Sequence, residues 1–144
     1  MREKLFCLLP LAIVCFITSM TVSAQTWHSY SSTNQLTVEY SDPVNCTYPG
    51  TDVQAEIIFL KFTNLTGAVI NVTFRADQYY TGEGCITCGN NEYQYSIVVP
   101  ANQSVSAGCN SLNDNRKLTI FKKYTNRNNP RTFDHFEITG IQIN

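Results

Sequence analysis

Residues 56–62 read Glu-Ile-Ile-Phe-Leu-Lys-Phe and residues 69–76 read Val-Ile-Asn-Val-Thr-Phe-Arg-Ala, and these two segments decide the fold. In the second segment Ile70, Val72 and Phe74 lie on one face and polar side chains on the other, which is typical of a half-buried β-strand. The first segment is apolar on both faces, so we expect it in the middle of a sheet. Between them residues 63–67, Thr-Asn-Leu-Thr-Gly, are turn formers. The pattern predicts a central β-hairpin.

Short alternating segments separated by turn residues continue from this centre to both ends of the chain. The clearest are residues 36–40, 93–99, 116–124 and 133–143, with Gly140 marking a β-bulge in the last one. No segment after residue 25 has helical periodicity. Counting gives seven to eight strands at short spacing, which predicts an all-β, antiparallel sandwich or barrel. Uneven strand lengths and varied loops favour the sandwich.

The first 24 residues have the features of a signal peptide. A short basic segment precedes an apolar run at residues 5–17, and small side chains at Val22 and Ala24 suit signal peptidase. We therefore predict cleavage before Gln25 and export of one domain, residues 25–144, to the periplasm, the cell surface or the medium. A membrane anchor is one alternative, but the apolar run is short and no basic cluster follows it. A lipoprotein is another, although Val14 precedes Cys15 where a lipobox has a smaller residue.

Charge and motifs limit the classes of partner. Residues 25–144 contain eight basic and ten acidic side chains of the 10 and 11 in the full sequence. This near-neutral balance argues against a dedicated nucleic-acid or anionic-membrane binder. No transmembrane segment is expected after signal cleavage. The sequence has no phosphate loop, nucleophile elbow or zinc-protease motif, and we predict no cofactor.

Four cysteines remain in residues 25–144, and an even number in a small exported domain predicts two disulfides. Three pairings are open. We favour Cys85 with Cys88, which are neighbours in a glycine-flanked loop, and Cys46 with Cys109. A thiol-redox motif is one alternative, but it needs a helix that does not follow Cys88. A zinc site is the other, but it needs a second closely spaced pair, so we predict no metal.

The succession of residues 57–64, 69–74, 95–107 and 118–124 resembles immunoglobulin-like modules. In particular it is similar to small exported immunoglobulin-like domains of bacteria, many of which are uncharacterised. The resemblance covers most of the exported domain through its strand pattern. Antibody domains also have a buried tryptophan between paired cysteines, which is not matched because Trp27 precedes Cys46. The resemblance implies an immunoglobulin-like β-sandwich cross-linked by disulfides and carries over no functional residue.

Aromatic residues lie on both sides of the glycine-rich loop at residues 82–91. The candidate ligand-binding residues are Tyr79, Tyr80 and Tyr93 beside this loop and Glu83 within it. If Tyr79 and Tyr93 both lie at the base of this loop, their rings form an aromatic platform for a sugar or a peptide. We favour core and cross-strand packing over this platform, because Tyr93 and Tyr95 alternate with Gln94 and Ser96 as strand residues do. The loop is the most irregular part of the domain and the best place for a ligand.

The absence of a catalytic constellation favours a non-enzymatic binding or interaction module whose ligand is a protein or a carbohydrate. The alternative is a structural or surface-assembly subunit that pairs through an exposed strand edge. A third hypothesis is a small hydrolase with Asp77 and Glu83 as its carboxylates, or a thiol-redox protein. Four asparagines, Asn45, Asn64, Asn71 and Asn102, begin glycosylation sequons, which matter only where the source glycosylates such sites.

Overall fold

A computed structural model describes residues 25–144, so the predicted signal peptide lies outside the described residues. The described chain is mostly β-strand and includes three 3₁₀ turns, at Asn91–Tyr93, Cys109–Ser111 and Arg116–Leu118. None of its helical segments has the length and apolar character needed to cross a membrane. The strands are β1 (Trp27–Ser32), β2 (Leu36–Ser41), β3 (Val44–Thr47), β4 (Gln54–Asn64), β5 (Ile70–Tyr80), β6 (Gly84–Cys85), β7 (Gln94–Val99), β8 (Ser104–Ser106), β9 (Thr119–Tyr124) and β10 (Phe133–Ile143).

The first sheet has six strands and is built around β4, the apolar segment of the sequence. β4 pairs with β2 and then β3 along one edge, and with β8 and then β9 along the other, and β1 pairs with the outside of β2. All of these pairings are antiparallel. Ile57, Ile58, Phe59 and Leu60 in the middle of β4 are each at most 6% exposed, so the strand is buried on both faces there, as its apolar sequence indicates. The expectation of a central position is confirmed.

The second sheet has four strands and is built around β5. One edge of β5 pairs with β10, and the other pairs with β7 and β6. The β5–β10 register shifts between Thr139 and Gln142, and Gly140 between them has a φ of 61°. Glycine takes this left-handed conformation without a steric penalty, so the bulge expected at Gly140 is confirmed.

The predicted hairpin between β4 and β5 is wrong, because these two strands belong to different sheets. Residues 65–69 instead form an arch from one sheet to the other. Asn64, which is 1% exposed, organises it. Its Nδ2 donates to the carbonyls of Ala68, Val99 and Pro100 at 2.7–3.1 Å, and its Oδ1 accepts from the amide and hydroxyl of Thr66, both at 2.8 Å. These bonds satisfy the turn without any pairing of β4 with β5.

The four sequon asparagines differ in their exposure to solvent. Asn64 is buried with both of its side-chain polar atoms in hydrogen bonds, so the folded arch has no space for a glycan there. Asn45, Asn71 and Asn102 are exposed. A glycan on the folded domain is therefore compatible with these three sites only.

The two sheets share one hydrophobic core. The rings of Phe62 in β4 and Phe74 in β5 meet across it, with centroids 4.6 Å apart. Ile57, Leu60, Val72 and similar side chains fill the space around them and are at most 1% exposed. The domain is therefore an antiparallel, sandwich-like arrangement of two sheets.

The structure contains ten strands in its described part, where the sequence analysis expected seven to eight. The two that were missed are β3 and β6, which lie in segments interpreted as loops. β3 is only four residues long and β6 only two. Such strands have too few alternating positions to be recognised, and they form because β4 and β5 present unpaired backbone to them.

Candidate ligand-binding cleft

A cleft of about 690 Å³ opens between the two sheets at the end of the domain opposite the arch. Its walls come from the C-terminal end of β5, from β7, from β9 and from the loop at residues 85–93. Six of the residues that line it are aromatic, namely Tyr48, Tyr80, Tyr93, Tyr95, Phe121 and Tyr124. They come from segments far apart in the sequence, and the sheet topology brings them together.

Strand alternation directs these rings into the cleft. Gln78 and Tyr80 in β5 have the same parity as Phe74 and Ala76, so they continue the inward face of β5 beyond the end of the packed core. In β7, Tyr95 pairs with Phe74 of β5, and their ring centroids are 5.7 Å apart. The cleft is thus a continuation of the core in which aromatic rings are left partly uncovered.

The loop at residues 85–88 forms one wall and is fixed to β5. Cys85 and Cys88 are joined by a disulfide, as the sequence analysis favoured, and Cys46 is joined to Cys109. Thr87, which is 1% exposed, accepts a hydrogen bond at its Oγ1 from the backbone N–H of Gln78 at 2.8 Å. The loop is therefore tied covalently to itself and by hydrogen bonds to the strand that carries Gln78.

Arg75 and Asp77, both in β5, fix the position of the loop at residues 85–90. Arg75 donates to Asp77 at 2.8 Å and also to the carbonyls of Thr87 and Asn90, at 3.1 and 3.3 Å. Asp77 is 5% exposed and accepts a further bond from the hydroxyl of Thr139. Charge-assisted bonds of this kind fix geometry well, because the planar guanidinium holds several acceptors at once. The wall of the cleft is preorganised.

Three phenols of the cleft have raised pKa values. Burial raises the pKa of Tyr48, Tyr80 and Tyr95 above the ordinary value of 10.0, and a neighbouring phenol adds to the shift in each case. Arg116 lowers the pKa of Tyr48 and Tyr95 by its positive charge, but not enough to reverse the effect of burial. These three tyrosines are therefore neutral hydrogen-bonding groups at physiological pH.

Five polar side chains of the cleft lack a partner within residues 25–144. The hydroxyls of Tyr48, Tyr93, Tyr95 and Tyr124 make no hydrogen bond to a described residue, whereas Tyr80 donates to Gln78 Oε1 at 3.3 Å. Arg116 forms no ion pair with any described carboxylate. The other arginines of the described chain, Arg75, Arg127 and Arg131, each have one. These groups are free to bind a ligand.

The structure divides the four predicted ligand residues. Tyr80 and Tyr93 line the cleft. Tyr79 lies on the outer face of β5, where its ring stacks on His135 at a centroid distance of 4.3 Å and its hydroxyl donates to Glu137. Tyr79 and Tyr93 therefore do not form one platform, because consecutive strand residues point to opposite faces and Tyr80 takes the inward position. The stacking of Tyr79 on His135 of the paired strand is cross-strand packing, the interpretation that we favoured.

Glu83 is also placed outside the cleft. Its carboxylate accepts a hydrogen bond from Arg131 at 2.8 Å on the exposed surface. Sequence reasoning missed Tyr48, Phe121 and Tyr124, which no motif connects to the glycine-rich loop. Their contribution depends on the packing of β9 and the β3–β4 connection beside β5, and only the three-dimensional arrangement shows it.

One set of potential metal ligands is near the cleft, but it is not free to bind. The carboxylate of Asp77 and the sulfurs of Cys85 and Cys88 lie within 4.8 Å of one another. The thiolate is the metal ligand of cysteine, and these sulfurs are bonded to each other. In the disulfide form this group therefore secures the loop.

Comparison with known proteins adds no relative. No protein-family model, no curated protein and no solved structure matches the chain. The function of the cleft therefore has to be judged from its own geometry and chemistry.

Proposed function

We propose that this protein is an exported, non-enzymatic binding module with an immunoglobulin-like sandwich architecture, and that it takes its ligand in the aromatic cleft. The observation that carries the proposal is the cleft itself, about 690 Å³ in volume and lined by six aromatic rings. Five of these are tyrosines, and four of their hydroxyls have no partner among the described residues. Binding sites for small molecules are concave and of this size, and they combine aromatic surface with polar groups that fix orientation.

The polar groups of the cleft favour binding over catalysis. Glu92 is the one carboxylate among the lining residues, and neither histidine of the domain, His28 or His135, is among them. Asp77 and Glu83, the carboxylates of the hydrolase hypothesis, are engaged by Arg75 and Arg131 away from the cleft. A glycosidase needs two carboxylates facing one bond, and this pair does not face the cleft.

Nuclear magnetic resonance of isotope-labelled residues 25–144 tests the proposal. The protein is titrated with a library of small soluble compounds that includes saccharides, short peptides and aromatic acids. Backbone amide shifts are expected to change around Gln78, Tyr93 and Arg116, because these residues line the cleft. Shift changes confined to other surfaces, or none across the library, contradict the proposal.

Two alanine variants make the test specific. Tyr93→Ala removes a cleft ring and is expected to abolish the shift changes, whereas Tyr79→Ala removes a ring on the outer face of β5 and is expected to leave them unchanged. The two residues are the same type and lie on either side of the same loop. Equal loss in both variants would show that the effect is not due to the cleft.

A second candidate function is assembly through β10. This strand has 11 residues and pairs with β5 on one edge, and no described strand pairs with its other edge. On that edge the Tyr30 hydroxyl bonds both backbone groups of Ile138. It accepts from the amide at 2.7 Å and donates to the carbonyl at 3.3 Å. An unpaired edge can add a strand from another chain. Sedimentation velocity tests this, and a monomer at every concentration would exclude self-assembly.

A further inference from the structure

We infer that the ligand of the cleft is a carbohydrate. The inference depends on the proposed function and makes it more specific by naming the class of molecule that the cleft recognises. It follows from three features of the lining: many free hydroxyl groups, planar bidentate groups, and a scarcity of aliphatic surface.

The free hydroxyl groups suit a ligand that is itself rich in hydroxyls. The phenols of Tyr48, Tyr93, Tyr95 and Tyr124 can each donate and accept one hydrogen bond, and no residue in 25–144 takes up that capacity. Their rings offer flat apolar area beside each hydroxyl. A sugar ring has the matching surface, with C–H groups on its faces and hydroxyls around its edge.

The cleft is also lined by three side chains with planar polar groups, Gln78, Glu92 and Arg116. Gln78 is 9% exposed, and its Oε1 accepts from Tyr80 while its Nε2 makes no hydrogen bond to a described residue. This Nε2 is not fully buried, so water or a ligand in the cleft can accept a hydrogen bond from it. Arg116 and Glu92 also line the cleft and are not within ion-pair distance of each other. Guanidinium and carboxylate groups can each bond two adjacent hydroxyls at once.

The apolar part of the lining argues against a lipid or an apolar peptide side chain. Among the lining residues Ile86 and Leu112 are the aliphatic ones, and the rest of the apolar surface is aromatic. A pocket for an acyl chain or a leucine side chain gains its free energy from close aliphatic packing, and four free phenol hydroxyls would lose their water there without replacement. A saccharide replaces that water with hydrogen bonds.

A printed array of neutral and acidic oligosaccharides, probed with labelled residues 25–144, tests the inference, and calorimetric titration then measures affinity for the saccharides that bind. We expect at least one saccharide to bind and its affinity to fall at least about tenfold in Tyr93→Ala, the loss expected when a central contact is removed. Arg116→Gln is expected to weaken it as well, and because Arg116 is exposed and makes no ion pair within residues 25–144, this variant will fold. Tyr79→Ala is the matched control and should bind as the wild type does.

The outcomes separate this inference from the proposed function. A cleft that binds peptides or aromatic acids in the magnetic resonance titration but no saccharide on the array overturns the carbohydrate inference and leaves the binding module in place. Saccharide binding that survives both Tyr93→Ala and Arg116→Gln also overturns it, because the sugar then lies elsewhere. If no compound of either collection affects the cleft, both proposals fail.

Discussion

The two ends of the domain differ in how their polar side chains are hydrogen-bonded. At the arch end, residues 65–69 cross from one sheet to the other, and the buried Asn64 side chain uses both polar atoms in hydrogen bonds to the backbone and to Thr66. At the cleft end, four phenol hydroxyls and the Gln78 Nε2 have no partner among the described residues. None of these cleft atoms is fully buried, so water can reach them. A closed network indicates a structural role, whereas solvated polar groups around a cavity are available to a ligand.

The covalent cross-links follow the same division. Cys46 pairs opposite Ala55 near the start of β4, and Cys85 pairs opposite Tyr79 near the end of β5, so both disulfides lie at the cleft end. The arch end is stabilised by hydrogen bonds and by the packing of the core. At the cleft end the two disulfides add covalent links to the packing, and Cys46 is itself a buried residue of the core.

The largest expected effect comes from removing the Cys46–Cys109 disulfide. The two residues are 63 positions apart, and closing a loop of that length lowers the entropy of the unfolded chain by an amount equivalent to about 4 kcal/mol. We therefore expect the double variant Cys46→Ala, Cys109→Ala to lose about 4 kcal/mol of unfolding free energy in urea. The matched double variant Cys85→Ala, Cys88→Ala opens a separation of only 3 and should lose about 2 kcal/mol. Equal losses would show that loop length does not decide their contributions.

The next effect is at the arch. Asn64→Ala removes a side chain that makes five hydrogen bonds and leaves three carbonyls and the Thr66 amide without it. We expect a loss of about 3 kcal/mol in urea unfolding, because buried polar groups would be left unpaired. Asn71→Ala is the control, since Asn71 is an exposed residue of β5, and it should change stability by less than about 0.5 kcal/mol. A small effect of Asn64→Ala would mean that the arch does not depend on this network.

The arch also shows where sequence reasoning fails. The strands β4 and β5, the central position of β4 and the bulge at Gly140 follow from apolar alternation and glycine, which are local signals. Whether two consecutive strands pair or cross to another sheet is not local. In this domain it depends on the bonds from Asn64 to carbonyls as far along the chain as Val99 and Pro100, and the same five linking residues suit a hairpin equally well.

The cleft could be predicted only in part for the same reason. The irregular loop and its tyrosines mark the correct end of the domain, and Tyr80 and Tyr93 are in the lining. The choice of Tyr80 over Tyr79 was open to prediction, because Tyr80 shares its parity with Phe74 on the buried face. The contribution of Phe121 and Tyr124 was not, since it depends on the pairing of β9 with β4.

A smaller effect compares two tyrosine hydroxyls. Tyr30 bonds the amide and carbonyl of Ile138, so Tyr30→Phe is expected to cost about 1 kcal/mol of stability in urea. The Tyr93 hydroxyl has no bond within residues 25–144, so Tyr93→Phe should change stability by less than about 0.5 kcal/mol and should instead weaken ligand binding. If Tyr93→Phe proved the more destabilising of the two, the cleft hydroxyls would have structural roles and the contrast between the two ends would be wrong.

The smallest effect is the dependence of stability on alkaline pH. Burial raises the pKa of Tyr48, Tyr80 and Tyr95 in the folded protein above 10.0, the ordinary value that applies in the unfolded chain. As the pH rises through that value the unfolded state loses these protons first, so it binds fewer protons than the folded state and the free energy of unfolding decreases. The stabilisation that these three protonated phenols contribute to the free energy of unfolding is complete below the unfolded pKa. It is lost as the pH rises toward the folded pKa values.

Urea unfolding at about pH 8 and about pH 10.5 measures this loss, and we expect it to be smaller in Tyr95→Phe, which removes one of the three phenols. Asn64→Ala is the control from the other end of the domain. Residues 65–69 contain no titratable side chain, so this variant should lose the same free energy at both pH values and keep the wild-type difference between them. A pH dependence that changes with Asn64→Ala but not with Tyr95→Phe would place the buried titrating groups outside the cleft, and would remove the electrostatic part of the distinction between the two ends.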